Sequence, residues 1–564
     1  MVGGFLQKIT KIWDYLIVTA ANHRQAQAYE AQIRQRKQAG EIPHVRNCLV
    51  VADIDGKRIG SGGSTLQCLY TVLQLERCGI GLTSFEKTET IFNGLRILIV
   101  HAGGDSRRLP AYSHCGKMFV PVPAKGQSCI ATSVATTLFD RLIPAFLALP
   151  ETRQGQVVVA SGDALILFDT SSVQFSNPGI TALGSLATSN DAAHHGVFCA
   201  DKDGSVRQFL QKPSPDVQAA VGAVNEAGDA VLDIGVMSCT AAAAVQLMRA
   251  FFALGSQGKL SWKPDVGELL VSKGIDLYRE ICCALGTSTT LDGYVGSVRV
   301  SGSTLERDKL AEWFSCLRQI PFSVEVLSDC QFLHFGTTRQ LITSGIALLT
   351  QDLGGPAPTS LVLNSDVHGE IAAHHAWVEG CLVDGTLTLG GFNAIIGVNV
   401  TKPLQLPPGA CLDMSAGIGH EGEKVWFLRY YGIDDTFKHS AEQGGTFCGI
   451  SLAKWMQALG AVVSDIWPST VPESERTLWN ARVFPALEEH QEFREWLWLL
   501  HVESAREEQK IKFLNADRYS SSEIALHLDQ VQFQNRRAKM RPAVMPHDSR
   551  ERNPSQTYAV VLDK

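Results

Sequence analysis

Short apolar runs alternate with stretches of helix composition through the first 300 residues, and that alternation limits the fold more than any other feature. Residues 15–19, 48–54, 95–100 and 156–160 have strand length and apolar content, while 23–38 and 66–77 read as helices. A chain ordered this way makes a mostly parallel sheet covered by helices. Ligands of such sheets bind beyond the carboxyl ends of the strands, so function is to be sought just after each run. The chain reads differently further on. Between 360 and 415, Leu382-Val383, Leu387, Leu389, Ile395-Ile396 and Val398 are punctuated by Gly380, Gly385, Gly390, Gly391 and Gly397. Two architectures stay open there, the coils of a parallel β-helix and a β-sandwich. The expected organisation is an α/β domain over 1–300, a connecting α/β segment over 301–355, the glycine-punctuated region over 356–445, a helical region over 446–545 and a frayed tail over 546–564. Trp455, Trp479, Trp496 and Trp498 supply packing for the helical region.

Composition excludes several function classes. A net charge of -7 does not suit a chain that coats nucleic acid or an anionic membrane, so any nucleotide site must be a local basic pocket. No apolar stretch reaches the ~18 residues of a membrane span. Lys8, Lys11 and Asp14 interrupt the apolar N-terminus, which does not read as a signal peptide. The 14 cysteines include no C-x-x-C pair, which points to buried thiols of a cytosolic protein and away from a zinc cluster.

The residues after the runs carry the candidate chemistry. "HAGGDSRRLPAYSHCGK" follows the run at 95–100 and holds Gly103, Gly104, Arg107, Arg108 and Lys117. Arginine binds phosphate as a fork and lysine as a point charge. The stretch is therefore either a phosphate-binding loop or a surface turn with solvated charges. Arg107 and Arg108 are adjacent, so their side chains diverge, and Arg107 is expected to be the more solvated. "GSGGST" places Gly60, Ser61, Gly62 and Gly63 between a strand and a helix, where a backbone can wrap an anion or simply turn. Asp163 stands just past the run at 156–160, either as a carboxylate for magnesium or as a helix cap. Lys212 ends a strand-like run before Pro213, pointing into a cleft or solvated. His194 and His195 lack metal-ligand spacing, and Asp233 and Asp276 are carboxylates beside apolar segments. No P-loop and no G-x-S-x-G elbow occurs.

In order, a glycine loop, G-G-x-x-x-R-L-P with a following lysine, an aspartate after a strand and "KP" resemble the sugar-1-phosphate nucleotidylyltransferases. The closer resemblance is to the fucose-1-phosphate guanylyltransferase (GDP-L-fucose pyrophosphorylase) family. It rests on "WDYLIVTAA", "GKRIGSGGSTL", "ILIVHAGGDSRRLPAYSHCGKMF", "HGVF", "FLQKPS", "GIDLY", "FLHFGTT" and "LWNARVFP", collinear from Trp13 to Pro485. The resemblance implies a Rossmann-like nucleotidyltransferase domain followed by a parallel β-helix and a helical C-terminal region. It implies GTP and L-fucose 1-phosphate as substrates and magnesium as cofactor, in a cytoplasmic enzyme. Arg108 and Lys117 match the family's phosphate-binding pair, Asp163 its metal position and Lys212 its sugar-phosphate lysine. Gly60, Ser61, Gly62, Gly63, Gly103 and Gly104 would bind nucleotide, and His195, Asp233 and Asp276 would contribute to the substrate site. A different sugar or UTP is the alternative within the same chemistry. The kinase loop P-x-x-x-G-L-G-S-S of related bifunctional proteins is absent.

A rival reading comes from "VQFQNRRAKMR" at 531–541, which is similar to a homeodomain recognition helix. Only eight residues separate Ala525 from Phe533, too few for the end of one helix, a turn and the start of the next. Gln532 stands where that family has tryptophan. The stretch is expected to be a charged amphipathic helix with Ile524, Leu528 and Val531 turned inward, and not a DNA-binding module.

Overall fold

The structure is a computed structural model that describes residues 12–76, 84–104, 106–123, 136–255, 260–355, 358–440 and 442–540. The tail expected to fray, 546–564, lies outside the described residues. The chain packs as two compact units, Met1–Gly104 with Asp140–Phe332, and Asp105–Phe139 with Leu333–Lys564.

A nine-stranded sheet runs through the first unit. Val45–Ala52, Trp13–Ala20, Arg96–His101 and Gln156–Ser161 lie side by side in that order and all run parallel. Asp229–Cys239 comes next and runs antiparallel to Gln156–Ser161 and to Ile180–Thr188. Phe322–Leu327 closes the edge, parallel to Ile180–Thr188. Three of the four, Trp13–Ala20, Arg96–His101 and Gln156–Ser161, are almost wholly buried, as strands inside a covered parallel sheet are, whereas the edge strand Val45–Ala52 is half-buried. Ile17, Ile99 and Val159 belong to one buried cluster with Leu66, Leu69 and Val72 of the helix Gly60–Glu76. That helix begins six residues before the expected 66, so the glycines form its first turns instead of a loop ahead of it. Helix propensity disfavours glycine by about 1 kcal/mol each, which is why the sequence reads as a loop there.

In the second unit, residues 361–418 form three parallel ladders. One joins Leu361–Leu363, Ala376–Glu379, Asn393–Ile396 and Ala410–Ile418. Another joins Asp366–Val367, Leu382–Val383 and Asn399–Val400. The third joins Glu370–Ala372, Thr386–Leu389 and Leu404–Leu406. The chain visits the three in turn and returns one coil further on, pairing Leu361 with Trp377 and Trp377 with Ala394. Val378, Val383, Leu387, Ile395 and Val400 point into the coil and are buried. The first ladder then continues antiparallel through Lys424–Gly432, Phe484–Leu487 and Arg518–Tyr519.

The homeodomain-like stretch is the helix Gln530–Met540, within the second unit. Ile524 and Leu528 are buried, but on and at the end of a separate helix, Ser521–His527; contrary to expectation, a helix end, a short break and the next helix start do fit between Ala525 and Phe533, and Val531 is 69% exposed. Phe533 and Arg537, four residues apart, take the inward face, which turns Val531 outward. Among the described residues no helix is long and apolar enough to cross a membrane.

Candidate functional site

The glycines of "GSGGST" serve close packing inside the first unit. Gly60 has φ +78°, and a Cβ on it would collide with the carbonyl oxygen of Ile275. The Gly63 N–H donates to that same Ile275 oxygen at 3.0 Å, and the Ile275 N–H donates to Ile59 at 2.8 Å. Ser61 Oγ donates to Asp276 Oδ2 at 3.0 Å and accepts from Leu277 N–H at 2.8 Å. Asp276 Oδ1 accepts from Tyr278 N–H and Arg279 N–H, at 3.0 and 2.8 Å, so Asp276 caps the turn that follows it. Residues 60–64 and 274–280, separate motifs in the sequence, are thus one structural joint. Gly60→Ala is therefore expected to cost at least ~2 kcal/mol of stability, from the collision and the left-handed backbone together. Urea unfolding checks it; unchanged stability would mean that the Ile275 carbonyl can move aside.

The other glycine loop is held by its neighbours. Thr19 Oγ1 accepts from Ala102 N–H at 3.1 Å, Tyr29 OH donates to the Ala102 carbonyl at 3.0 Å, and Gln25 Nε2 donates to the Gly104 carbonyl at 3.3 Å. Gly104 has φ +110°, with open space around it, a conformation that only glycine adopts freely. Nothing in the local sequence singles out Thr19, Gln25 or Tyr29; Asp53 differs. Asp53 follows Val45–Ala52 as Asp163 follows Gln156–Ser161, so the same positional rule would have found it. Burial pushes the Asp53 carboxyl up to about 6, against a 2.7 Å hydrogen bond from Ser64 Oγ.

Asp163, Asp233 and Asp276 are gathered in the first unit, where each carboxylate helps to raise the Tyr278 hydroxyl, behind its burial. Asp163 is exposed and accepts from Ser161 Oγ at 2.8 Å. Asp233 is 6% exposed, and Gly235 N–H donates to its Oδ1 at 2.9 Å. A Cβ on Gly196 would lie 3.2 Å from the Asp233 Cβ, so the strand that follows His195 runs past that carboxylate. The Lys212 N–H donates to the His195 carbonyl at 2.9 Å, and Lys212 has φ +51°, a left-handed conformation costing a lysine roughly 1–2 kcal/mol. His195 packs edge-on to Phe332 at 5.5 Å.

Titration of this cluster gives a signed prediction. Burial raises Asp233 from 3.8 to about 7, and packing lowers His101, bonded to Thr65 at 2.9 Å, from 6.5 to about 4. Asp233 holds its proton longer when folded, so its contribution to stability is lost as pH rises from about 4 to 7. His101 acts in the opposite sense, losing its contribution as pH falls from 6.5 towards 4. Asp233→Asn should therefore gain on the wild type by up to about 4 kcal/mol between pH 4 and 7 in metal-free buffer. A constant difference across that range, measured by denaturant titration, would show that Asp233 is not held neutral.

Among the described residues no group of three histidine, cysteine or acidic side chains is poised to hold a metal. Magnesium needs only one or two carboxylates when substrate phosphates and water complete its shell. Exposed Asp163 suits that donor set; both Asp276 oxygens are already engaged in the joint with Ser61.

Arg108 and Lys117 belong to the second unit, whereas Gly103 and Gly104 belong to the first. Both cations converge on Gly336, of the "FLHFGTT" motif: a Cβ there would lie 3.7 Å from Arg108 Nη2 and 3.9 Å from Lys117 Nζ. The Arg108 carbonyl accepts from Thr338 N–H at 3.2 Å, tying the loop to the start of the helix Thr338–Leu353. Two like charges held over one glycine make a place for a phosphate oxygen. The expected order of solvation is reversed. Arg108 is exposed, and Arg107 is half-buried with its guanidinium 5.9 Å from the Trp479 ring. The ring shelters Arg107, a partner the local sequence does not reveal.

Two basic residues of the homeodomain-like helix, Arg536 and Arg537, are engaged within the second unit. Arg537 pairs with Glu379 at 2.5 Å, and Arg536 bonds the Gly380 carbonyl at 2.8 Å and the Asn399 side chain.

A family model described as the fucose pyrophosphorylase domain matches residues 89–489. The chain is 28% identical over 557 residues to a bifunctional fucokinase/GDP-fucose pyrophosphorylase of Arabidopsis thaliana, covering 91% of this chain and 50% of that protein. It is 26% identical to a fucose-1-phosphate guanylyltransferase of Mus musculus, covering 84% of each chain. For the protein of the same name from Homo sapiens the identity is 25%, over 84% of this chain and 82% of that one. The chain thus spans about half the length of the Arabidopsis protein and most of the two mammalian ones. The matched stretch contains Arg108, Lys117, Asp163, Lys212, Asp233, Asp276 and Gly336, though not Gly60–Gly63, and by that match the chain belongs to the fucose pyrophosphorylase family.

Proposed function

We propose that the chain transfers a guanylyl group from GTP to L-fucose 1-phosphate, yielding GDP-L-fucose and pyrophosphate. The observation that carries the reading is the meeting of Arg108 and Lys117 over Gly336, in a chain of this family. A phosphate oxygen of the sugar phosphate attacks the α-phosphorus in line; the bond to the bridging oxygen breaks, and pyrophosphate takes the electron pair. The nucleophile is already an anion, so the protein's work is positioning and neutralising charge. Arg108 and Lys117 neutralise the departing pyrophosphate, and Lys212 with His195 receives the sugar phosphate. Bound at Asp163, magnesium would supply charge neutralisation for the phosphates. In fold terms we read the first unit as a Rossmann-like nucleotidyltransferase domain and the three ladders as a parallel β-helix. The parallel strand order and the coil-by-coil pairing support that reading. Every described cysteine is a free thiol, in keeping with a cytoplasmic setting.

The test is a panel of four nucleoside triphosphates against several sugar 1-phosphates, scored by pyrophosphate release. The expected best pair is GTP with L-fucose 1-phosphate; a better pair replaces the substrate assignment, and no release from any pair refutes transfer. Asp163→Asn is expected to raise the magnesium needed for half-maximal rate by roughly tenfold or more. An unchanged magnesium titration would place the metal elsewhere.

A further inference from the structure

The helix Gln530–Met540 carries a sequence motif that the transfer reaction leaves without a role. Its contacts converge on the middle of the loop whose ends carry Arg108 and Lys117. Gln530 Nε2 donates to the His114 carbonyl at 2.9 Å. The Phe533 ring meets the His114 ring edge-on, with centroids 4.1 Å apart. Arg537 Nη2 pairs with Glu379 Oε2 at 2.5 Å, and that same oxygen accepts from Tyr112 OH at 3.1 Å. Tyr112 OH also accepts from Trp377 Nε1 at 2.9 Å, and Glu379 Oε1 accepts from Asn364 at 3.0 Å. Tyr112 and Glu379 are fully buried, and His114 and Arg537 are each 3% exposed.

Tyr112 and His114 lie between Arg108 and Lys117 in sequence, so a grip on them fixes both cations. The grip is built from buried charge, which is costly to disturb. Burial first, then the Arg429 and Arg537 charges, holds His114 far below its usual range and therefore neutral. Arg537 is held at both ends of its fork, since Nη1 donates to the Phe533 carbonyl at 3.0 Å while Nη2 meets Glu379. Lysine has no second arm to make that pair of bonds.

We infer that the helix Gln530–Met540 positions the Arg108–Lys117 loop for pyrophosphate, with Arg537, Phe533 and Gln530 as positioning residues; this rests on the reading of Arg108 and Lys117 as pyrophosphate ligands. A displacement of the loop by about 1 Å weakens what it holds by roughly ten- to a hundredfold. The probe is inorganic pyrophosphate, titrated calorimetrically into the full chain with magnesium. In parallel, the KM values for pyrophosphate and for GDP-L-fucose are measured in the reverse reaction. Arg537→Lys, Phe533→Leu and Gln530→Ala are expected to weaken pyrophosphate about tenfold and leave the KM for GDP-L-fucose unchanged. Val531→Ala, on the exposed face, should change neither. Should Arg537→Lys fail to fold, Gln530→Ala decides, because it removes one half-buried side chain and no charge. Pyrophosphate affinity unchanged in the folded variants, alongside a loss in Arg108→Ala, overturns the positioning role and leaves the reading of Arg108 intact. Unchanged affinity in Arg108→Ala itself overturns both. Equal rises in both KM values overturn the inference as well, since they mark general loosening.

Discussion

Arg108→Ala and Lys117→Ala should each lose at least a hundredfold in rate while melting as the wild type does. Charges that stabilise a leaving group contribute about 3–4 kcal/mol to the transition state, or roughly a hundred- to a thousandfold in rate. A solvated surface charge changes stability by within about 0.5 kcal/mol and leaves the rate alone. Arg108 is exposed, so truncating it opens no cavity. Arg107→Ala is the contrast. It should lose up to about 1 kcal/mol of stability with the Trp479 contact and little rate. Gly336→Ala sharpens the test, because its methyl would stand at ordinary contact distance from both cations and occupy the place given to a phosphate oxygen. It should lower the rate and spare the melting temperature. Equal, small losses across these variants would return the stretch to a solvated turn.

Arg429→Met should destabilise the second unit by about 3–5 kcal/mol. Arg429 and Asp413 face each other across the antiparallel pair that ends the first ladder, each side chain 1% exposed. Arg429 Nε lies 2.8 Å from Asp413 Oδ1 and 3.1 Å from Oδ2. Removing the arginine leaves a buried carboxylate without its counter-charge, the expensive way to break a buried pair. Burial already raises Asp413, with Arg429 pulling the other way, so the variant's carboxyl should take up a proton more readily. Its deficit is therefore smaller at pH 4 than at pH 7. The double variant Arg429→Met/Asp413→Leu should recover most of the loss, because apolar side chains of similar volume avoid the desolvation of both charges. Additive losses in the double variant, read from urea midpoints, would mean the pair is not the source.

Much of the first unit is legible because its strands are buried on both faces. An apolar run with no alternation is what such a strand requires, and the runs at 95–100 and 156–160 fall on Arg96–His101 and Gln156–Ser161 within a residue. The run at 48–54 is displaced from Val45–Ala52, since that edge strand is only half-buried and its apolar pattern is weaker. In the site, position after a strand picks out Asp163 and Gly103-Gly104. What stays hidden are relations between distant segments. Ser61 meets Asp276 across 215 residues, and Tyr112 meets Glu379 across 267. Nothing local to either partner announces the other. Glycine is the most ambiguous letter, for the same residue type gives an open, left-handed turn at Gly104 and admits a neighbouring carbonyl at Gly60.

The chain passes from one unit to the other three times, after Gly104, after Phe139 and after Phe332. No single breakpoint in the gene therefore separates the two. A fragment ending at residue 300 would keep 105–139 and lose the Glu379 that receives Tyr112, leaving an orphaned apolar segment prone to aggregation. Recombination that joins this region to another coding sequence can spare both units only by carrying them whole. Engineering by split-protein complementation meets the same constraint, with the cut placed inside one unit and never at the border.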